Sequence, residues 1–158
     1  MITKLDFTNI QTAVTYNFNT DVAPLTQFDV DVERRVIKDR DRSQQHGVWP
    51  TFSYKGGMEI HIEGDLLADD SVDYVTKRLA LAAAINGDYD ALVADRKDGD
   101  LVIAFAGGTE DLTTEVAIDA FSGPIDGGFP AYSKYLVTFF SFNPYFIGTV
   151  SGDKYSWT

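Results

Sequence analysis

Gly56-Gly57-Met58-Glu59-Ile60-His61-Ile62-Glu63-Gly64 alternates apolar and polar side chains, one for one. A period of two marks a strand with one buried face and one wet face. Met58, Ile60 and Ile62 are expected toward a core, with Glu59, His61 and Glu63 toward solvent. A helix is predicted just downstream. Asp69, Asp70 and Ser71 put oxygen side chains where free backbone N–H groups need acceptors. Val72, Val75, Leu79 and Ala82 recur at helical spacing as the expected buried stripe, with Lys77 and Arg78 facing away. Ala80, Ala82, Ala83 and Ala84 favour helix. Asn86-Gly87 ends it with residues that tolerate the left-handed conformation.

Working outward, the remaining periodic runs are strands. Upstream, Val14, Tyr16 and Phe18 alternate with Thr15 and Asn17. Phe28, Val30 and Val32 alternate with Asp29, Asp31 and Glu33, and turn chemistry at Asp21 to Pro24 separates the two runs. Downstream, Asp98-Gly99 reads as a tight turn before Leu101, Ile103 and Phe105. Gly107-Gly108 breaks that run, and Val116, Ile118 and Ala120 alternate in the next, before a Gly-rich loop from Ser122 to Gly128. Tyr135 to Phe142 is apolar on both faces: Tyr135, Val137 and Phe139 on one, Leu136, Phe140 and Phe142 on the other. Such a strand is either central in a sandwich or exposed at an interface. Asn143-Pro144 stops it. The expectation is a mostly antiparallel α+β fold: a β-sandwich or barrel with one flanking helix, spanning residues 1–158 as a single domain.

Composition narrows the function classes. The 158 residues carry 13 Lys plus Arg against 24 Asp plus Glu, a net charge of -11. That field repels phosphate, so nucleic acid and anionic membrane surfaces are disfavoured partners. With no Cys there is no disulfide and no thiolate chemistry. The N-terminus lacks a basic stretch followed by an apolar run. No apolar stretch approaches the roughly 20 residues of a membrane helix. A soluble protein made in a cytoplasm is expected.

Enzyme signals are weak throughout. His61 between Glu59 and Glu63 shares a strand face with them, but no second His or Cys completes a metal shell nearby. Asp95, Asp98 and Asp100 do not follow a calcium-loop spacing. No carboxylate pair stands out for glycoside hydrolysis, no G-x-S-x-G occurs, and neither Gly pair leads into a phosphate-binding helix. No catalytic residue, cofactor or metal is assigned. Two features point to assembly instead. Glu33 to Gly47 is crowded with charges of both signs and reads as a long loop or protruding hairpin that needs a partner. Aromatics crowd the C-terminus, where Tyr155 and Trp157 in a polar tail read as a docking element.

The stretch from Arg34 to Gly148 carries a resemblance. A mixed-charge loop closes on His46-Gly47, followed by Tyr54-Lys55-Gly56-Gly57 and the strand through Gly64. A helix of the form Ser71-x-x-Tyr74-x-x-x-Arg78-x-x-Leu81 comes next. Several short strands lead to Asn143-Pro144-Tyr145-Phe146-x-Gly148. This order resembles the N-terminal domain of distal tail proteins of bacteriophages with long, non-contractile tails. That family typically has an acidic residue before the Pro, where this chain has Asn143.

The resemblance implies a tail-tube-like β-sandwich with one flanking helix, and a structural role in the virion tail. Such proteins form a sixfold ring at the distal end of the tail tube, between the tube protein and the tip or hub protein. DNA passes only in transit through the lumen. The long loop reaches the neighbouring subunit, which makes Arg34, Arg35, Arg40, Arg42 and His46 expected inter-subunit contacts, with Tyr155 and Trp157 in the tail. No second, galectin-like domain is expected within the chain. Another ring or tube subunit of the same fold is an alternative. So is a small carbohydrate-binding β-sandwich using Trp49 or Trp157, and, more remotely, a small acidic hydrolase.

Overall fold

The computed structural model of the protein describes residues 1–21, 23–36, 53–85, 97–122 and 132–157. The strands are β1 (Ile2–Asn9), β2 (Thr15–Phe18), β3 (Leu25–Val36), β4 (Ser53–Leu67), β5 (Gly99–Phe105), β6 (Leu112–Ser122), β7 (Tyr132–Ser141), β8 (Phe146–Gly148) and β9 (Lys154–Tyr155). The helix α1 (Ser71–Ala84) lies between β4 and β5 in sequence. Among the described residues every strand pairing is antiparallel. The fold is the mostly antiparallel β structure with one helix that the alternating runs predict.

The strands form one open sheet in the order β2-β1-β5-β6-β7-β4-β3, with β8 on β6 and β9 on β8. β6 belongs to both halves. Leu112 to Val116 pairs with β5, and Ala117 to Ser122 pairs with β7. The sheet folds over at this shared strand, so its two halves face each other as layers. The Phe7 ring of β1 lies 4.9 Å from Phe139 of β7, and Phe18 of β2 lies 5.9 Å from Tyr135. Leu5, Met58, Ile60, Ile62, Leu101, Ile103 and Val137 fill the space between. An irregularity between Ile118 and Ala120 shifts the register of β6. It turns Ala120 outward and lets Phe121 pack against the core, which breaks the simple alternation through Ala120.

β1 is an element the periodic runs did not mark. Leu5 and Phe7 are fully buried, and Asn9 ends the strand buried as well. The Asn9 side chain donates Nδ2–H to the Ala84 carbonyl at 2.9 Å and accepts the Gln11 N–H at 2.8 Å. It therefore ties the end of β1 to the C-terminal turn of α1, whose carbonyls lack intrahelical partners.

Asp98-Gly99 is not the tight turn its composition suggests. Asp98 is buried, its carboxylate accepts the Ile118 N–H at 2.7 Å, and its own N–H donates to the Val116 carbonyl at 2.9 Å. Gly99 opens β5, paired with Asn9 on one side and Val116 on the other. A Cβ there would collide with the Thr8 carbonyl and the Phe7 ring. The glycine serves close packing between strands, not a reversal of the chain.

The helix begins where its cap predicts, but it is rotated from the expected face. Asp70 accepts the N–H groups of Val72 and Asp73 at 2.9 and 2.8 Å. The buried face carries Tyr74, Leu81 and Ala84, while Val72 and Leu79 are 73% and 64% exposed and Val75 is exposed too. Lys77 and Arg78 flank the buried face. Lys77 bonds Asp73 at 2.6 Å and the Leu67 carbonyl at 2.9 Å, and the Arg78 guanidinium sits 5.7 Å from the centre of the Phe121 ring. Long basic side chains lay their stems on the core and carry their charge outward, so they border a buried face as readily as an exposed one.

Candidate assembly surface

The expected contact residues divide among three places. Arg34 and Arg35 lie in β3, in register with Lys55 and Tyr54 of β4. Strand pairing continues to Val36 and Ser53, so the stretch read as a loop from Glu33 starts as paired strand. The rest of that stretch, from residue 37 to Gly47, lies outside the described residues. Arg40, Arg42 and His46 lie outside the described residues, as do Trp49 and Asp95.

Tyr155 and Trp157 both make contacts with their own chain. Glu110, in the connection from β5 to β6, is the anchor. Its carboxylate accepts the N–H of Val150 and of Ser151, each at 2.9 Å. It also accepts the Ser151 hydroxyl at 2.6 Å and the Tyr155 hydroxyl at 2.9 Å. These donors, the Ser151 hydroxyl foremost, hold the Glu110 carboxyl down to about 2. The bond to Glu110 raises the Tyr155 hydroxyl above its ordinary range. Trp157 lies 5.3 Å from Phe28 of β3, 5.8 Å from Phe105 of β5 and 5.6 Å from Phe146 of β8, by ring centres. It closes the gap between the layers on an aromatic cluster. The tail is polar at most positions, yet one indole brings its end onto the core. Glu110 carried no sequence signal, because its partners lie about 40 residues away in the chain.

The outer face of the four-stranded layer β6-β7-β4-β3 is a second surface. Register places Phe140, Thr138 and Leu136 of β7 beside Glu59, His61 and Glu63 of β4, and beyond these Asp31, Asp29 and Gln27 of β3. His61 lies 3.6 Å from Glu59 and 3.9 Å from Asp31, and its Nδ1 is 3.3 Å from the Thr138 hydroxyl. Phe140 and Phe142 meet edge to face at 4.9 Å, and Phe142 is 52% exposed. β7 is therefore both things its two apolar faces allow: central in its layer, with an apolar strip left outward. Among the described residues no group of three or more His, Asp or Glu side chains is placed to hold a metal ion. Among them also, no helix is long and apolar enough to cross a membrane.

No protein-family model matches the chain, and no curated protein matches it. Solved structures do. The chain is similar to the crystal structure of the SPP1 Dit (gp 19.1) protein, described as a paradigm of the hub adsorption apparatus in Gram-positive infecting phages. The TM-score is 0.58 at 15% sequence identity, over 92% of this chain and 51% of that one. The two share a fold. This chain spans about half the length of the SPP1 protein.

Proposed function

We propose that the protein is a structural subunit of a bacteriophage tail, and that it builds a ring at the distal end of the tail tube, joining the tube to the tip or hub. The fold shared with the SPP1 Dit protein along 92% of the chain carries this reading. Physical features support it. A head-to-tail interface that closes makes a ring. β3 is a 12-residue edge strand with one side unpaired among the described residues, and neighbours in a ring would cover such an edge. In this reading Arg34 and Arg35 of β3, with Arg40, Arg42 and His46, contact the adjacent subunit. Tyr155, 39% exposed, lies on the surface left for a neighbour once Glu110 has fixed its hydroxyl. Partners are further copies of the chain, six to the ring, with the tube protein on one side and the hub protein on the other. Subunits of net charge -11 around a lumen keep passing DNA from adhering, because like charges repel. The protein acts without a cofactor and resides in the virion tail.

Native mass spectrometry over a concentration and salt series tests this reading. A closed hexamer is expected, weakened by a joint Arg34→Ala and Arg35→Ala change. A chain that stays monomeric at all concentrations, even with tail tube protein added, overturns it.

A further inference from the structure

We infer that the outer face of the β6-β7-β4-β3 layer is a docking site for a basic, amphipathic segment of a partner protein. The face has an apolar strip and an acidic border. Phe140 and Phe142 form the strip, with Leu136 further along β7 beyond Thr138, and Asp29, Asp31, Glu59 and Glu63 border it through the pairing of β4 with its neighbours. A depression of about 270 Å³ opens where the two meet, lined by Asp31, Val32, Gly57, Glu59 and Phe140. A Cβ at Gly57 would collide with the Phe140 ring, so the glycine is what lets that ring form a wall of the depression.

An aromatic wall beside two carboxylates suits a cationic side chain. The guanidinium or ammonium stacks on the ring and pairs with the acids, while its stem and apolar neighbours cover Phe142 and Leu136. Asp31 and Glu59 each lie near His61, at 3.9 and 3.6 Å, and their side chains stay 76% and 50% exposed, so both carboxylates are open to an outside cation. The charge also argues against other occupants. A second copy meeting this face symmetrically would set carboxylate against carboxylate, and nucleic acid or an anionic membrane is repelled. The surface lies on one chain, so the inference does not depend on ring formation.

The test is calorimetric titration of the purified chain with a synthetic amphipathic peptide of Arg and Leu, and with its counterpart of Glu and Leu. Binding of the Arg peptide alone is expected, weakening as salt rises. A double Asp31→Asn and Glu59→Gln change should weaken it about tenfold. Phe142→Ala should weaken it severalfold with the fold intact by circular dichroism. No binding, equal binding of both peptides, or binding unchanged in the double variant overturns the inference. So does a fall in oligomeric mass caused by these same changes, which would make a second copy the occupant. A failed ring with intact peptide binding would overturn the tail reading and leave this one standing.

Discussion

Glu110 accepts the hydroxyl of Tyr155 at 2.9 Å across 45 residues of chain, and in doing so it latches the C-terminal turn to the β5–β6 connection. The same carboxylate takes the Val150 and Ser151 N–H groups, so one side chain organises three donors of the tail besides the tyrosine. Glu110→Ala should release this turn while leaving the strands paired. Hydrogen exchange at the Val150 and Ser151 amides is expected to rise by at least about tenfold, with the β4 amides unchanged. Unchanged exchange at those two amides would show that the turn does not depend on the carboxylate.

The latch has a defined pH window. The folded Glu110 carboxyl lies below its ordinary value of 4.5, so ionisation favours the docked tail. That contribution is complete above the ordinary value and is lost as pH falls through about 2. Tyr155 works from the other side. Its pKa is raised above 10.0, so its contribution is complete below that value and is lost as pH rises through the raised one. NMR shifts of the Ser151 amide should stay constant between these limits. A transition near pH 4.5 would mean that the carboxylate is not held by its donors.

Trp157 should matter more than its place next to the last residue suggests. Replacing it by Ala removes the ring shared by Phe28, Phe105 and Phe146, and is expected to cost about 2 kcal/mol in urea unfolding. Trp157→Phe, which keeps a ring there, should cost less than half as much. Equal losses for the two changes would show that aromatic packing is not what the tail contributes.

The rotation of α1 can be checked by paired substitutions. Leu81→Ala empties a fully buried position and should cost about 2–5 kcal/mol. Val75→Ser and Leu79→Ser lie on the exposed face and should each fall within about 1 kcal/mol of the parent. The reverse ordering would restore the stripe that helical periodicity alone suggests.

Gly99→Ala tests the close approach of β5 to β1. The added methyl meets the Thr8 carbonyl and the Phe7 ring, so a loss of about 3 kcal/mol or more is expected in thermal or urea unfolding. A simple turn glycine without positive φ would tolerate the change.

The chain by itself determined the elements that local chemistry controls. Met58, Ile60 and Ile62 are buried as their alternation requires, and the carboxylate of Asp70 caps α1 where the acidic run predicts. The mostly antiparallel α+β class follows from those local signals, since period and capping act over a few residues. Which faces meet was decided by tertiary packing. α1 carries two apolar stripes, and periodicity selected Val72, Val75 and Leu79 because no charge interrupts them. Packing selected Tyr74 and Leu81, with Arg78 between them reaching out over Phe121. Those are the positions in the Tyr74-x-x-x-Arg78-x-x-Leu81 motif that carried the family resemblance. Asp98-Gly99 has the composition of a turn, and only the approach of β1 makes it the start of a strand. The Glu110 latch, the Trp157 cluster and the acidic-aromatic face of the four-stranded layer join residues distant in sequence. No local period encodes them. They exist because one sheet folds over at β6 and brings remote strands into register.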